Sequence, residues 1–211
     1  MKRKGLILLF FCACLTLSAQ VQDSVLFAAY QREDMTVWKE YIDTYNSQPE
    51  DFSQLSTLNS QLLYEYGYCG YIVAEAKKEG NEALLPEAKQ CVQNFKSQII
   101  NHKSQMPVGH YEMYMSAVYV FELRLHESMH PVKSMSLAKE ATKLAPNDPI
   151  VLSYYGTCLF YAPKPFGSKE EALTWFERAK SRFKGEKYRF CWMREANEMY
   201  IRQCQEKLKM H

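Results

Sequence analysis

The sequence predicts an all-α protein built from stacked antiparallel helix pairs, with capping helices at both ends. Two observations lead to this class. Apolar residues recur at the i, i+3, i+4, i+7 spacing of a helix face almost throughout the chain, and prolines fall where one such run stops and another begins. No convincing run of alternating apolar and polar residues is present, so strands are not expected.

The helical period is clearest in four stretches spread along the chain. They contain Trp38, Tyr41, Ile42 and Tyr45; Ala88, Cys91, Val92, Phe95 and Ile99; Ala172, Phe176, Ala179 and Phe183; and Met193, Ala196, Tyr200, Cys204 and Leu208. The prolines that separate periodic runs are Pro49, Pro107, Pro131, Pro146 and Pro163. Because two such stretches are joined by a short turn before the pattern recurs, we expect helix pairs that bury their apolar faces by stacking.

Helix ends are also visible in the sequence. Asp148 followed by Pro149 predicts a helix start, with the carboxylate as N-cap and proline at the first helical position. Ser168 followed by Glu171 has the form of a capping box before a helix over 172–183. Gly185 follows that helix where a left-handed C-cap is expected.

Small residues at fixed distances resemble the tetratricopeptide repeat. Ala138, Ala141 and Pro146 match the later part of that family's second helix. In that family, the first helix of the following repeat carries an apolar residue, a glycine and a second apolar residue at fixed distances after this proline. In this sequence those positions are Leu152, Gly156 and Leu159.

The following second helix continues the resemblance. The family requires spacings of four and then three residues, and these are the spacings of Ala172, Phe176 and Ala179. The helix begins four residues later than in the family because segment 163–168 enlarges the turn before it. The match is good over 115–184 and weak over 57–104, where Gly70 lies in one helix and Ala88 in the other. Residues 24–46 and 189–210 are interpreted as terminal capping helices. A helical bundle without repeats, in which the spacing is accidental, is the alternative.

The first residues have the pattern of a signal peptide, predicted over 1–19. Lys2, Arg3 and Lys4 precede an apolar run from Leu6 to Leu17, which is shorter than the about 20 residues of a membrane-spanning helix. A single domain is then expected over 20–211, periplasmic or secreted, without a transmembrane segment. A lipid anchor at Cys14 is the less favoured alternative, because Phe11 stands where a lipobox usually has an aliphatic residue.

Charge and cysteine content restrict the function classes. Without the predicted signal peptide, 23 basic and 24 acidic residues remain, a net charge of −1 that gives no long-range attraction for nucleic acid. Five cysteines remain, an odd number, so at least one is free or paired with another chain. Most are expected to be small apolar residues buried on helices. No C-x-x-C pair is present to indicate redox or zinc chemistry.

One motif indicates catalysis. His126-Glu127-Ser128-Met129-His130 has the H-E-x-x-H pattern, which on a helix resembles a zinc-metallopeptidase site with Glu127 as the base. Pro131 follows at once, and Arg124 and Ser128 stand where that family prefers other residues. We therefore expect this segment to be the end of a first helix, with no catalytic, metal or cofactor site.

The resemblance to tetratricopeptide repeats implies binding along the inner faces of the first helices. Counting from the repeat glycines nominates Tyr64, Tyr71, Tyr119, His126, Ser153, Thr157, Phe160 and Tyr161. Tyrosine suits a recognition surface, although aromatic stripes at helical spacing are also typical of a core. The leading hypothesis is an exported adaptor that binds a protein or peptide partner and is not an enzyme. A zinc-dependent hydrolase and a structural subunit of an envelope assembly are the alternatives.

Overall fold

The computed structural model describes residues 23–46, 55–126 and 130–209. The predicted signal peptide, including Cys14, lies outside these ranges, as does Pro49. Within them the secondary structure is helical and contains no strand, which confirms the all-α prediction for the described residues.

Nine α-helices follow one another along the described residues. Helix α1 covers 23–31. The others are α2 (Thr36–Asn46), α3 (Leu55–Glu75), α4 (Leu85–Asn101), α5 (His110–Arg124), α6 (Pro131–Leu144), α7 (Pro149–Tyr161), α8 (Lys169–Arg182) and α9 (Trp192–Lys209). The segment predicted to cap the N-terminal end is thus two helices, with Glu33 at a positive φ of 58° in the break between them.

Helix packing follows the order of the chain. From α2 to α9, each helix contacts the next, and α3, α5, α7 and α9 also contact one another in sequence. Side chains support these contacts: Lys96 of α4 pairs with Glu122 of α5 at 2.7 Å, and Asn197 of α9 donates to the Phe176 carbonyl of α8 at 3.0 Å. The odd-numbered helices from α3 onward therefore adjoin one another through the structure.

The predicted N-caps of α7 and α8 are both confirmed. Asp148 Oδ1 accepts hydrogen bonds from the amides of Ile150 and Val151 at 2.9 and 3.3 Å, and Ser168 Oγ accepts from the Glu171 amide at 3.1 Å. These side chains satisfy amide groups that the first turn of a helix leaves without a backbone partner.

The prediction of a left-handed C-cap at Gly185 is wrong. Helix α8 ends at Arg182 with Phe183 as C-cap, and Gly185 combines a φ of 92° with an extended ψ of 165°. Glycine is needed there for the positive φ, but the residue belongs to the connection leading to α9.

Small residues occupy the crossing of α7 and α8. Gly156 is buried, and a Cβ atom there would lie 2.8 Å from the Phe176 ring, while Ala172 and Ala179 are both 0 % exposed. Gly70, the glycine of the weaker match, differs, because a Cβ there would meet Phe121 at an ordinary 3.7 Å. A close helix approach therefore requires glycine at position 156 and not at position 70.

Candidate binding surface

The facing sides of α3, α5, α7 and α9 are filled by their own aromatic side chains. The ring centroid of Tyr66 on α3 lies 6.3 Å from Tyr114, 6.0 Å from Phe121, 5.8 Å from Tyr154 and 5.8 Å from Trp192. Rings at these distances are in edge or stacking contact. The four helices therefore contact one another through these rings.

The N-terminal helices cover another part of this cluster. The ring of Trp38, 1 % exposed, lies 5.0 Å from Tyr64 and 5.7 Å from Trp192, and its Nε1 donates to the Leu26 carbonyl at 2.8 Å. Tyr30 of α1 contacts the Trp192 ring at 5.7 Å. Helices α1 and α2 thus join α9 in one aromatic core.

Several of the predicted groove residues belong to this interior. Tyr64 and Phe160 are each 3 % exposed and Ser153 is 1 % exposed, so these three side chains are not available to a partner. The Tyr64 hydroxyl donates to Asp23 Oδ1 at 3.3 Å. Thr157 is partly buried and its hydroxyl donates to the Ser153 carbonyl at 3.1 Å, a bond within α7.

The remaining predicted residues reach the surface to different extents. Tyr71 is 40 % and Tyr161 is 61 % exposed. Tyr119 is partly buried, with the Lys133 ammonium 4.6 Å above its ring and the His130 ring 6.2 Å away. The observed contacts join Phe160 with Tyr161 and Thr157 with Ser153, but they do not unite the whole predicted set into one groove.

The two histidines of the H-E-x-x-H pattern do not share a helix. Helix α5 ends at Arg124, His126 has a positive φ of 61°, and His130 is the N-cap residue of α6. His126 was expected at the end of a first helix and instead lies beyond it. The i, i+4 arrangement that places two imidazoles on one helix face therefore does not form between them. Residues 127–129 lie outside the described ranges. Among the residues that are described, no group of three or more metal-binding side chains occurs.

An aromatic surface lies where α7 ends, near α9. We call it the Tyr161 patch; it consists of Tyr161, Tyr200, Lys169 and Lys207, which contact the buried Phe160 ring, and of Phe166 in the turn that follows α7. The Phe160 ring lies 5.0 Å from Tyr161 and 5.2 Å from Tyr200, and the two tyrosine hydroxyls are 3.3 Å apart. Phe160 and Tyr161 belong to the predicted groove set, whereas the helical spacing predicts Tyr200 only as part of the apolar face of α9.

Phe166 of the patch lies in the segment 163–168. A Cβ atom at Gly167 would lie 2.9 Å from the Ala162 Cβ, so the segment turns back closely against the end of α7. Phe166 remains 62 % exposed in this turn. Close approach of the turn requires glycine at position 167, and the preceding residue, Phe166, keeps a large apolar ring facing solvent.

Two ammonium groups lie over the Phe160 ring. Lys169 Nζ lies 3.6 Å and Lys207 Nζ 5.0 Å from the ring centroid. Burial, followed by repulsion from Lys207, lowers the pKa of Lys169. Neither ammonium forms an ion pair with any carboxylate of the described ranges. The patch therefore combines exposed aromatic surface with positive charge that is not neutralised there.

Comparison with known proteins does not assign the chain to a group. No family model matches it, and neither a curated protein nor a solved structure matches it. Within the residues that the structure covers, every helix is too short or too polar to cross a membrane.

Proposed function

We propose that this protein is an exported adaptor of the tetratricopeptide-like kind, a stacked array of antiparallel helix pairs that binds a protein or peptide partner. The repeat assignment is supported by the register of Leu152, Gly156 and Leu159 and by the successive contacts of α3, α5, α7 and α9. The proposed location is the periplasm or the exterior, on the strength of residues 1–19.

The Tyr161 patch is the observation that carries the binding function. Tyr161 and Phe166 are 61 % and 62 % exposed, although aromatic rings of this size are usually covered in a core or an interface. Both lie in the best-matching repeat region, 115–184. Two ammonium groups over the Phe160 ring, which contacts Tyr161, favour a partner segment that places an apolar side chain on the exposed rings and a carboxylate near Lys169 and Lys207.

This surface differs from the inner groove that the sequence predicted. Tyr64, Ser153 and Phe160 stabilise the fold in this proposal, because they are buried. Tyr161 is retained from the predicted set, and Phe166, Lys169, Tyr200 and Lys207 are added. The turn over 163–168 acts as part of the binding surface, in keeping with the general use of loops on a rigid helical scaffold.

Site-specific photocrosslinking tests the proposal in living cells. A photoreactive phenylalanine derivative replaces Tyr161, Phe166 or, as the control, Tyr71, which is 40 % exposed on α3. We expect one discrete crosslinked partner from positions 161 and 166 and none from position 71. Crosslinks of equal yield from all three positions, or none from 161 and 166, would contradict the assignment of the surface.

Quantitative binding to the crosslinked partner then tests the chemistry. Tyr161→Ala and Lys207→Glu should each weaken binding by about 10-fold or more, which corresponds to a loss of about 1.4 kcal/mol or more at an interface. Added salt should weaken wild-type binding and affect Lys207→Glu less. Circular dichroism of each variant establishes that the fold is retained. Full affinity in both variants would refute the patch as the binding surface.

A further inference from the structure

The thiol groups of Cys69 and Cys91 lie against each other between α3 and α4. Their sulfur atoms are 2.7 Å apart, nearer to the about 2.05 Å of a sulfur–sulfur bond than to the spacing of two thiols in simple packing contact. Cys69 is 0 % exposed and Cys91 is partly buried. The other three described cysteines, Cys158, Cys191 and Cys204, have no cysteine sulfur as a contact within the described residues.

A cavity of about 190 Å³ opens beside this pair. Both cysteines line it, together with Lys39, Glu87 and Asn94. Its volume exceeds that of a single water molecule several-fold, so solvent and the reacting end of a small reagent can enter. Cys91 is the more exposed of the two cysteines that line the cavity.

The geometry points to a modification site: Cys69 and Cys91 form an intrachain disulfide that joins α3 to α4. The oxidant is a disulfide, of either a small molecule or a thiol oxidoreductase. The Cys91 thiolate attacks it, forming a mixed disulfide and releasing one thiolate. The Cys69 thiolate then attacks the Cys91 sulfur and displaces the second thiolate. Both cysteine protons pass to solvent or to the released thiolates, so the oxidant gains the two electrons that the cysteines lose.

The order of the two attacks follows from burial. Burial, followed by the hydrogen bond with Cys91, raises the pKa of Cys69, so this thiol remains protonated at neutral pH. Cys91 therefore reacts first, from the cavity, and Cys69 closes the bond once it has lost its proton. The rate of oxidation should rise with pH, since only the thiolate attacks.

The bond would restrict the unfolded chain. It closes a loop between residues 22 apart in sequence, for which loop-closure entropy predicts an appreciable stabilisation. For a chain of this length, we expect reduction to lower Tm by about 6–12 °C. This proposal depends on the packing of α3 against α4 and not on the adaptor function, so each can fail independently.

Peptide mapping tests the pairing directly. Purified full-length protein is exposed to oxidised glutathione, alkylated after denaturation without reductant, and digested with trypsin. Peptides 40–77 and 90–96 contain Cys69 and Cys91, respectively. We expect them to be recovered joined, with a mass lower by two hydrogens than their sum. Recovery of both as alkylated single peptides, or of either joined to a different cysteine, would overturn the proposal.

Three serine variants supply the controls. Cys91→Ser and Cys69→Ser should abolish the joined peptides, while Cys204→Ser, a buried cysteine on α9, should retain them. Reductant should lower Tm in the wild type and in Cys204→Ser but leave Cys91→Ser unchanged. If Cys69→Ser fails to fold, the partly buried Cys91 position still provides the test. A wild-type Tm that is insensitive to reductant would refute the stabilising bond.

Discussion

Gly156 illustrates how one small side chain sets the distance between two helices. A Cβ atom at this position would lie 2.8 Å from the Phe176 ring, closer than carbon atoms approach in ordinary contact. Phe176 is 0 % exposed and also stacks on Tyr200 at 5.2 Å, so it has little freedom to move away. The absence of a side chain at position 156 therefore allows α7 and α8 to pack closely.

Replacing Gly156 by alanine should destabilise the protein by about 1–3 kcal/mol, because the added methyl group overpacks the crossing. Gly70→Ala is the matched control, since its Cβ would meet Phe121 at 3.7 Å and helical alanine is favoured over glycine by about 0.5–1 kcal/mol. Urea denaturation of both variants measures the effects. Equal changes in the free energy of unfolding would show that glycine at position 156 has no packing role.

Asp148 combines an N-cap with a buried contact to His110. His110 Nε2 lies 3.1 Å from Asp148 Oδ2, while Oδ1 caps α7. Burial raises the pKa of Asp148, but the hydrogen bonds from His110 and from the Val151 and Ile150 amides outweigh it and hold the pKa below its ordinary value. Because the folded pKa is depressed, the carboxylate contributes stability above its unfolded pKa of about 3.9, and that contribution is lost as pH falls through the folded value.

Asp148→Asn should therefore lower Tm at pH 7 by about 2–4 °C, corresponding to about 1 kcal/mol for a charge-assisted bond. The difference from wild type should shrink toward pH 3, because below about 3.9 the carboxyl of the unfolded state takes up a proton and the advantage of the depressed folded pKa declines. Thermal unfolding followed by circular dichroism at both pH values measures this. Asp43→Asn, at an exposed position paired with Lys39, should change Tm little at either pH. A deficit of the same size at pH 3 would contradict the role of the charge.

Helices α5, α6 and α7 are joined by a buried polar network. Ser116 Oγ donates to the Ser134 carbonyl at 2.8 Å and accepts from the Tyr154 hydroxyl at 2.8 Å, while Ser134 Oγ donates to the Ser116 carbonyl at 3.2 Å. All three side chains are buried. Each bond crosses between helices, so the network fixes their relative positions.

Ser116→Ala should cost about 1–3 kcal/mol, because the buried Tyr154 hydroxyl loses its acceptor. Tyr154→Phe removes that hydroxyl, and the double variant should be less destabilised than the sum of the two single variants. A double-mutant cycle in urea measures the coupling. Ser97→Ala, on the exposed side of α4, is the control and should have little effect. Additive losses would mean that the two side chains do not interact.

The two ends of the described chain meet in one aromatic cluster. Trp38 of α2 and Trp192 of α9 are 5.7 Å apart, and Gln31 of α1 donates to Glu195 of α9 at 3.1 Å. Gly67 of α3 permits this contact, because a Cβ there would lie 3.0 Å from Trp192 and would clash with Trp38. Helices α1 and α2 at one end of the described chain therefore contact and stabilise α9 at the other end.

Trp38→Ala should destabilise the whole protein by about 3–5 kcal/mol and increase amide hydrogen exchange in α9 as well as in α2. Trp175→Ala is the control: Trp175 is partly buried on α8 and contacts Tyr155 at 4.8 Å. The loss of stability in Trp175→Ala should be smaller, and amide hydrogen exchange in α1 should be unchanged. Exchange that increases only in α2 after Trp38→Ala would show that the two ends are not coupled.

Local chemistry explains which features could be predicted from the sequence. The caps at Asp148 and Ser168 depend on hydrogen bonds between residues two or three apart, and the burial of Gly156 and Ala179 follows from helical spacing. These interactions involve neighbours along the chain, so their pattern is visible in the residues themselves. The helical character of the described ranges was predictable for the same reason.

Which apolar face is covered, and by what, depended on contacts between distant segments. Tyr64 and Tyr161 were nominated by the same counting rule, yet Tyr64 is buried under Trp38 while Tyr161 faces solvent. The approach of Cys69 to Cys91 and the meeting of α1 with α9 likewise have no sequence signature. Periodicity identifies a face that needs burial, but only the folded arrangement decides which segment buries it, because side-chain packing joins residues irrespective of their separation in the chain.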